Sequence, residues 1–130
     1  MKGRLRVVFK HFPLGFHVNA RTAAIASMCA HRQGKFWPYH DLLFQNMKRL
    51  GRADLVGWAR VVGLDIPRFE KDLKDLSIHA LVRRDTSEGT RAGVRGTPSV
   101  YLNGRRVNVN ASVTSVDAVV SLVESEVFKR

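Results

Sequence analysis

Apolar and polar positions alternate where the chain opens. Leu5, Val7 and Phe9 take turns with Arg6, Val8 and Lys10. The run to Phe12 is rich in β-branched and aromatic residues, so the pattern predicts a strand over 5–12. Pro13 and Gly15 end it. The period then becomes helical. Asn19 is a suitable N-cap for a helix over 20–32, with a small face of Ala20, Ala23, Ala24, Ser27 and Met28. Gly34 fits its stop. A second helix over 35–47 carries an apolar stripe of Phe36, Tyr39, Leu43 and Met47, edged by Trp37 and Phe44, with Pro38 in its first turn. This stripe predicts core rather than a ligand cage.

A third helix is predicted over 53–62, with Leu55, Trp58, Ala59 and Val62 in register and Gly63 as stop. Asp65 then caps a short helix over 66–73, with Pro67 in its first turn and Phe69 and Leu73 inward. A longer helix follows over 77–92, with Ile78, Leu81 and Val82 apolar and Gly93 at its end. Residues 99–102 and 105–109 form a predicted hairpin, because Asn103-Gly104 tolerates positive φ at both turn positions. The last helix starts at the capping-box-like Thr114-Ser115-Val116-Asp117 and buries Val116, Val119, Val120, Val123 and Val127.

Composition adds little except charge. The 130 residues are 45% hydrophobic and 25% charged, as in an ordinary globular domain, and one domain over 1–130 is the natural expectation. No stretch approaches the roughly 20 apolar residues of a membrane span. Met1-Lys2-Gly3-Arg4-Leu5-Arg6 is not followed by an apolar h-region, so the sequence as it stands carries no signal peptide and leaves the compartment open. Against 22 Lys+Arg stand 11 Asp+Glu, a net charge of +11. Such a surface attracts polyanions at low salt. Yet the basic residues are scattered along the chain, which favours a solvated basic surface over a nucleic-acid footprint.

Three segments carry a resemblance. Arg6-Val7-Val8-Phe9-Lys10-His11-Phe12-Pro13-Leu14, then His17-Val18-Asn19-Ala20, resembles the second core strand and following turn of DsbA-like thioredoxin domains. Gly34-Lys35-Phe36-Trp37-Pro38-Tyr39-His40-Asp41-Leu42-Leu43-Phe44 is similar to a helix of that family, and its apolar positions coincide with the stripe above. Gly93-Val94-Arg95-Gly96-Thr97-Pro98-Ser99-Val100-Tyr101-Leu102-Asn103-Gly104 is similar to the family's loop and hairpin. There the Thr-Pro bond is cis and the loop lies beside the redox cysteines. The resemblance implies an α/β, thioredoxin-like fold with a helical insertion over 19–92. It also implies that the first strand and the active-site helix are missing here.

The family's Cys-x-x-Cys, whose thiolate a helix N-terminus stabilises, has no counterpart in this sequence. The single cysteine, Cys29, falls inside a predicted helix with Ala26 and Arg32 three positions away on either side. It is the one candidate for a catalytic thiol, weighed against a buried structural cysteine. No intramolecular disulfide is possible. In the family the missing strand is a central one. Its loss would leave 5–12 and the hairpin one strand spacing, about 4.8 Å, too far apart, with unpaired edges that invite another chain. Two outcomes are expected: residues 5–12 close onto the hairpin, or strands pair between chains in a two-fold homodimer.

Gly96, Thr97 and Pro98 are the candidate substrate-binding residues, since in the family the backbone beside this proline pairs with an extended peptide; a fixed turn that starts the hairpin is the alternative. His11, His17, His31, His40 and His79 share no metal-ligand spacing, and Gly93-x-x-Gly96 precedes a strand rather than a helix. The sequence thus points to no metal and no cofactor. Three functions follow: an oxidoreductase-family domain inactive in this chain alone, a redox-dead peptide-binding or self-assembling module, and a polyanion-binding basic protein.

Overall fold

Five helices and one hairpin account for the regular structure of the described residues. A computed structural model describes residues 6–15 and 17–107. The order is α1 (Ala20–Arg32), α2 (Phe36–Gln45), α3 (Arg52–Val61), α4 (Ile66–Asp72), α5 (Leu76–Arg91), β1 (Val100–Leu102) and β2 (Arg105–Val107). The valine-rich helix predicted after Thr114 lies outside the described residues, as do Leu5 and Val109 of the predicted strands.

The helix boundaries follow the local signals closely. Gly34, Gly63 and Gly93 stand just past α1, α3 and α5 with φ of 75°, 80° and 89°. This left-handed geometry is open to glycine without a Cβ penalty. Asp65 caps α4, its Oδ1 accepting the Arg68 N–H at 3.1 Å. Asp75 caps α5 by accepting the Ser77 N–H at 2.8 Å. Asn19 occupies the cap position of α1 but its side chain makes no capping bond.

The core lies between the helices. α1 packs against α2, α3, α4 and α5. It contributes Ala23, Ile25, Ala26, Cys29 and Ala30 to the core. Facing them are Tyr39 and Leu43 of α2, Leu55 and Ala59 of α3, Phe69 of α4 with Leu73, and Ile78 and Val82 of α5. The buried arc of α1 is therefore broader than the small face predicted for it. Ala20, Ala24 and Met28 are only half-buried, because four neighbours surround the helix rather than one. Tyr39 is fully buried, and its hydroxyl donates to the Leu55 carbonyl at 2.9 Å, which satisfies the one polar atom of an otherwise apolar contact. The stripe of α2 ends sooner than predicted: Met47 lies past the helix and is 62% exposed.

The predicted first strand does not form. Residues 6–12 have no strand pairing, and the only sheet among the described residues is β1 with β2. The expected closure of this segment onto the hairpin is thereby corrected. Alternation favours a strand, but a strand exists only where a partner takes its N–H and C=O groups. Here side chains fix the segment instead. The His11 N–H donates to Asp85 Oδ2 at 3.1 Å. Lys10 Nζ lies 3.5 Å from Glu88 Oε2. Phe12 packs on Gly89 so closely that a Cβ there would stand 2.8 Å from its ring. Glycine in the last turns of α5 is what allows that approach.

The hairpin keeps its predicted register. Val100 faces Val107, Tyr101 faces Arg106 and Leu102 faces Arg105. Asn103 and Gly104 both take positive φ, 49° and 82°, as a two-residue hairpin turn of the primed type requires.

Candidate functional site: the loop before the hairpin and the buried thiol

The loop begins where α5 stops. The Val94 N–H donates to the Gly89 carbonyl at 2.9 Å and the Gly93 N–H to the Thr90 carbonyl at 3.1 Å, which ties the exit of α5 to its last turn. Further along the loop the Ser99 hydroxyl donates to the Gly96 carbonyl at 2.7 Å, closing the turn on itself. The Thr97–Pro98 peptide bond is cis. Thr97 and Pro98 are exposed and Gly96 is half-buried. All three candidate residues thus sit together on one exposed turn that leads directly into β1.

β1 pairs with β2 along one edge; its other edge has no strand beside it among the described residues. Tyr101 and Arg106 are register partners and both exposed, so one face of the hairpin offers an aromatic ring beside a guanidinium. Arg95 and Arg105 are exposed as well, which makes the surroundings of the loop cationic.

Cys29 is elsewhere, in the core. It lies on the inner side of α1 at 0% exposure. Burial pushes its thiol up to about 12, with nearby Asp72 acting in the same direction and Arg32 against it. At neutral pH such a group is a thiol, whereas exchange needs the thiolate. Asp72 is itself buried; its Oδ1 accepts from Arg32 Nη1 at 3.2 Å, while Oδ2 has no hydrogen-bond partner. The acidic side of Cys29 is thus the reverse of the electropositive setting that activates a cysteine.

A second constellation, formed by residues far apart in sequence, lies over the amino-terminal segment. Phe9 contacts Phe36, Trp37 and His40 with ring centroids 5.1–6.3 Å apart. His11 joins the group through Phe9 and Phe36. Phe36 and Trp37 were predicted as members and edges of an apolar stripe, but nothing local announced that His11 and His40 would be buried beside them. Asp85 completes this region. It is buried, takes the His11 N–H on Oδ2, and leaves Oδ1 without a hydrogen bond, 3.8 Å from Lys10 Nζ. Its role carries no sequence signal, since it occupies an ordinary polar position on a helix. His17 and His31 are exposed, and His79 Nε2 donates to the Leu73 carbonyl 2.9 Å away. Among the described residues no group of three metal-ligating side chains comes together, and no helix is long and apolar enough to cross a membrane.

A family model of the DSBA-like thioredoxin domain matches residues 1–121. The chain belongs to this family. Its relatives include the "Na(+)/H(+) antiporter NhaA" of Herminiimonas arsenicoxydans, 36% identical over 115 residues that are 88% of this chain and 18% of that protein. The "Na(+)/H(+) antiporter NhaA 1" of Salinispora arenicola is 36% identical over 118 residues, 90% of this chain and 18% of that protein. The "Probable disulfide bond formation protein D" of Bacillus anthracis is 29% identical over 119 residues, 82% of this chain and 53% of that protein. The chain therefore spans under a fifth of the antiporters' length and about half of the Bacillus protein's. The five helices and hairpin described above are the DSBA-like thioredoxin fold as this chain displays it.

Proposed function

We propose that this DSBA-like domain binds extended polypeptide at the Gly96–Thr97–Pro98 turn and the free edge of β1, and performs no thiol–disulfide exchange by itself. The observation that carries the second half is the burial of Cys29, the one thiol of the chain, among apolar and acidic neighbours. The first half rests on an exposed turn feeding a strand whose outer edge has no strand beside it among the described residues, the setting that strand addition requires. Tyr101 and Arg106 on one face, with Arg95 and Arg105 nearby, favour clients that carry acidic residues. The antiport in the names of two relatives is not carried over, since most of each of those proteins lies outside the matched stretch.

Reduction of insulin by dithiothreitol, followed by turbidity, tests the redox half. The chain and its Cys29→Ser variant are expected to leave the rate unchanged. Acceleration that disappears in Cys29→Ser would make Cys29 a working thiol and sink the proposal. For the binding half, an unstructured acidic peptide should raise the midpoint of thermal unfolding with concentration, because a ligand of the folded state stabilises it by mass action. A midpoint indifferent to peptide at all concentrations would remove it.

A second reading is self-assembly, in which the β1 edge of one copy is covered by another. The exposure of apolar residues on the unpaired amino-terminal segment, 60% for Val8 and 38% for Phe9, favours it.

A further inference from the structure

A cleft of about 470 Å³ opens where the segment after residue 12 meets α1 and α5, and none of the residues of the Gly96–Pro98 turn lines it. Part of its lining is apolar: Pro13, Leu14 and Val18. Val18 is 93% exposed, so its side chain serves no core. The rest is cationic and polar, with Arg21 from the first turn of α1 and Arg83 and Ser87 from α5. His17 also lines the cleft and is engaged within the fold. Among the described lining residues there is no carboxylate.

The two arginines differ from their neighbours on the same helices. Arg32 of α1 pairs with Asp72 and Asp75, and Arg84 of α5 lies 3.9 Å from Glu88. The Arg21 and Arg83 side chains make neither an ion pair nor a hydrogen bond among the described residues. Two like charges beside one cavity repel, and the described lining residues include no carboxylate to offset them. Guanidinium groups are rigid forks suited to anions with several acceptor oxygens. The volume falls in the ordinary range of small-ligand sites.

We infer that this cleft binds a phosphate monoester attached to an apolar body. A monoester carries close to two negative charges at neutral pH, which matches two guanidiniums; a carboxylate would leave one of them uncompensated. The Ser87 hydroxyl can donate to a further phosphate oxygen. The apolar body lies against Pro13, Leu14 and Val18, which a bare phosphate would leave uncovered. The monoester can be a free small molecule or the headgroup of a lipid such as phosphatidate; both present the same chemistry. This site is independent of the peptide-binding turn.

Calorimetric titration of the full chain with phenyl phosphate at low salt should give saturable one-to-one binding. Inorganic phosphate should bind about tenfold more weakly or worse, for want of the apolar contact. The Arg21→Gln/Arg83→Gln variant should lose at least about tenfold in affinity. The charge-matched variant Arg52→Gln/Arg60→Gln, altered at exposed positions of α3, should bind like the parent. Equal binding by the two variants would mean diffuse attraction to a basic surface and overturn the inference. Equal affinity for phosphate and phenyl phosphate would overturn it too. On the unaltered chain, the Leu14 and Val18 methyl resonances should shift on adding phenyl phosphate; unmoved methyls would refute the site whatever the variants do. Sedimentation with phosphatidylcholine vesicles containing phosphatidate, abolished by Arg21→Gln/Arg83→Gln, would identify a lipid source. Phenyl phosphate binding without such sedimentation would identify a free one.

Discussion

The backbone N–H of His11 makes its long-range bond to a carboxylate 74 positions away, on Asp85, while its ring is buried against Phe9 and Phe36. Burial lowers the His11 pKa from 6.5; Asp85 opposes this, and His40 and His31 add to it. The unfolded chain therefore takes up the proton first as pH falls. The stability tied to a neutral His11 is complete above pH 6.5 and is lost as pH falls through the lower folded value. Urea unfolding at about pH 7.5 and about pH 5.5 should show a lower midpoint at the acid end, and His11→Asn should flatten that difference. An equal acid loss in His11→Asn would assign the effect to other groups. None of this is legible in the sequence, where His11 is one histidine among five. Pairing across 74 positions has no local signature. Cys29 is the opposite case: its place inside a small-residue helix announces burial, and the structure places it there.

Elements were legible wherever one residue decides the geometry. Glycines mark the ends of α1, α3 and α5, Asn103-Gly104 fixes the hairpin turn, and Asp65 starts α4. Caps sharpen the point, because the same type of reasoning succeeds at Asp65 and fails at Asn19. Asp65→Ala should cost about 1 kcal/mol of stability, since it removes a bond to the Arg68 N–H. Asn19→Ala should change stability by only a few tenths of that, because the Asn19 side chain makes no cap bond. Chemical denaturation of the two variants checks both; equal losses would contradict the difference in their geometry. What escaped was the strand over 5–12. Its alternation is real, but strand formation is a property of two segments, and the described residues offer it no partner.

For the whole molecule, family membership came from three separated segments that agree in order, none sufficient alone. The charge of +11 said little about where a ligand would sit, because the helices decide which arginines are neutralised. If the β1 edge and the apolar residues near Val8 meet a second copy, light scattering across a range of concentrations should report a dimer that dissociates on dilution. Tyr101→Lys, which places a charge on the exposed face of that strand, should shift the balance toward monomer. The mass of a monomer at every concentration would dismiss self-assembly and leave the edge to peptide.

The inner side of α1 bears on how freely this chain can vary. Ala26 and Ala30 are buried completely, in a helix that packs against α2, α3, α4 and α5. Only a methyl group separates α1 from its neighbours at these points. A larger residue would have to displace an entire helix, at a cost of about 1–3 kcal/mol or more. A smaller one would leave a void between packed helices. The outer surfaces of α3 and α4 face solvent and can drift in sequence. The inner turns of α1 cannot, so the plainest residues in the chain are the ones least open to replacement.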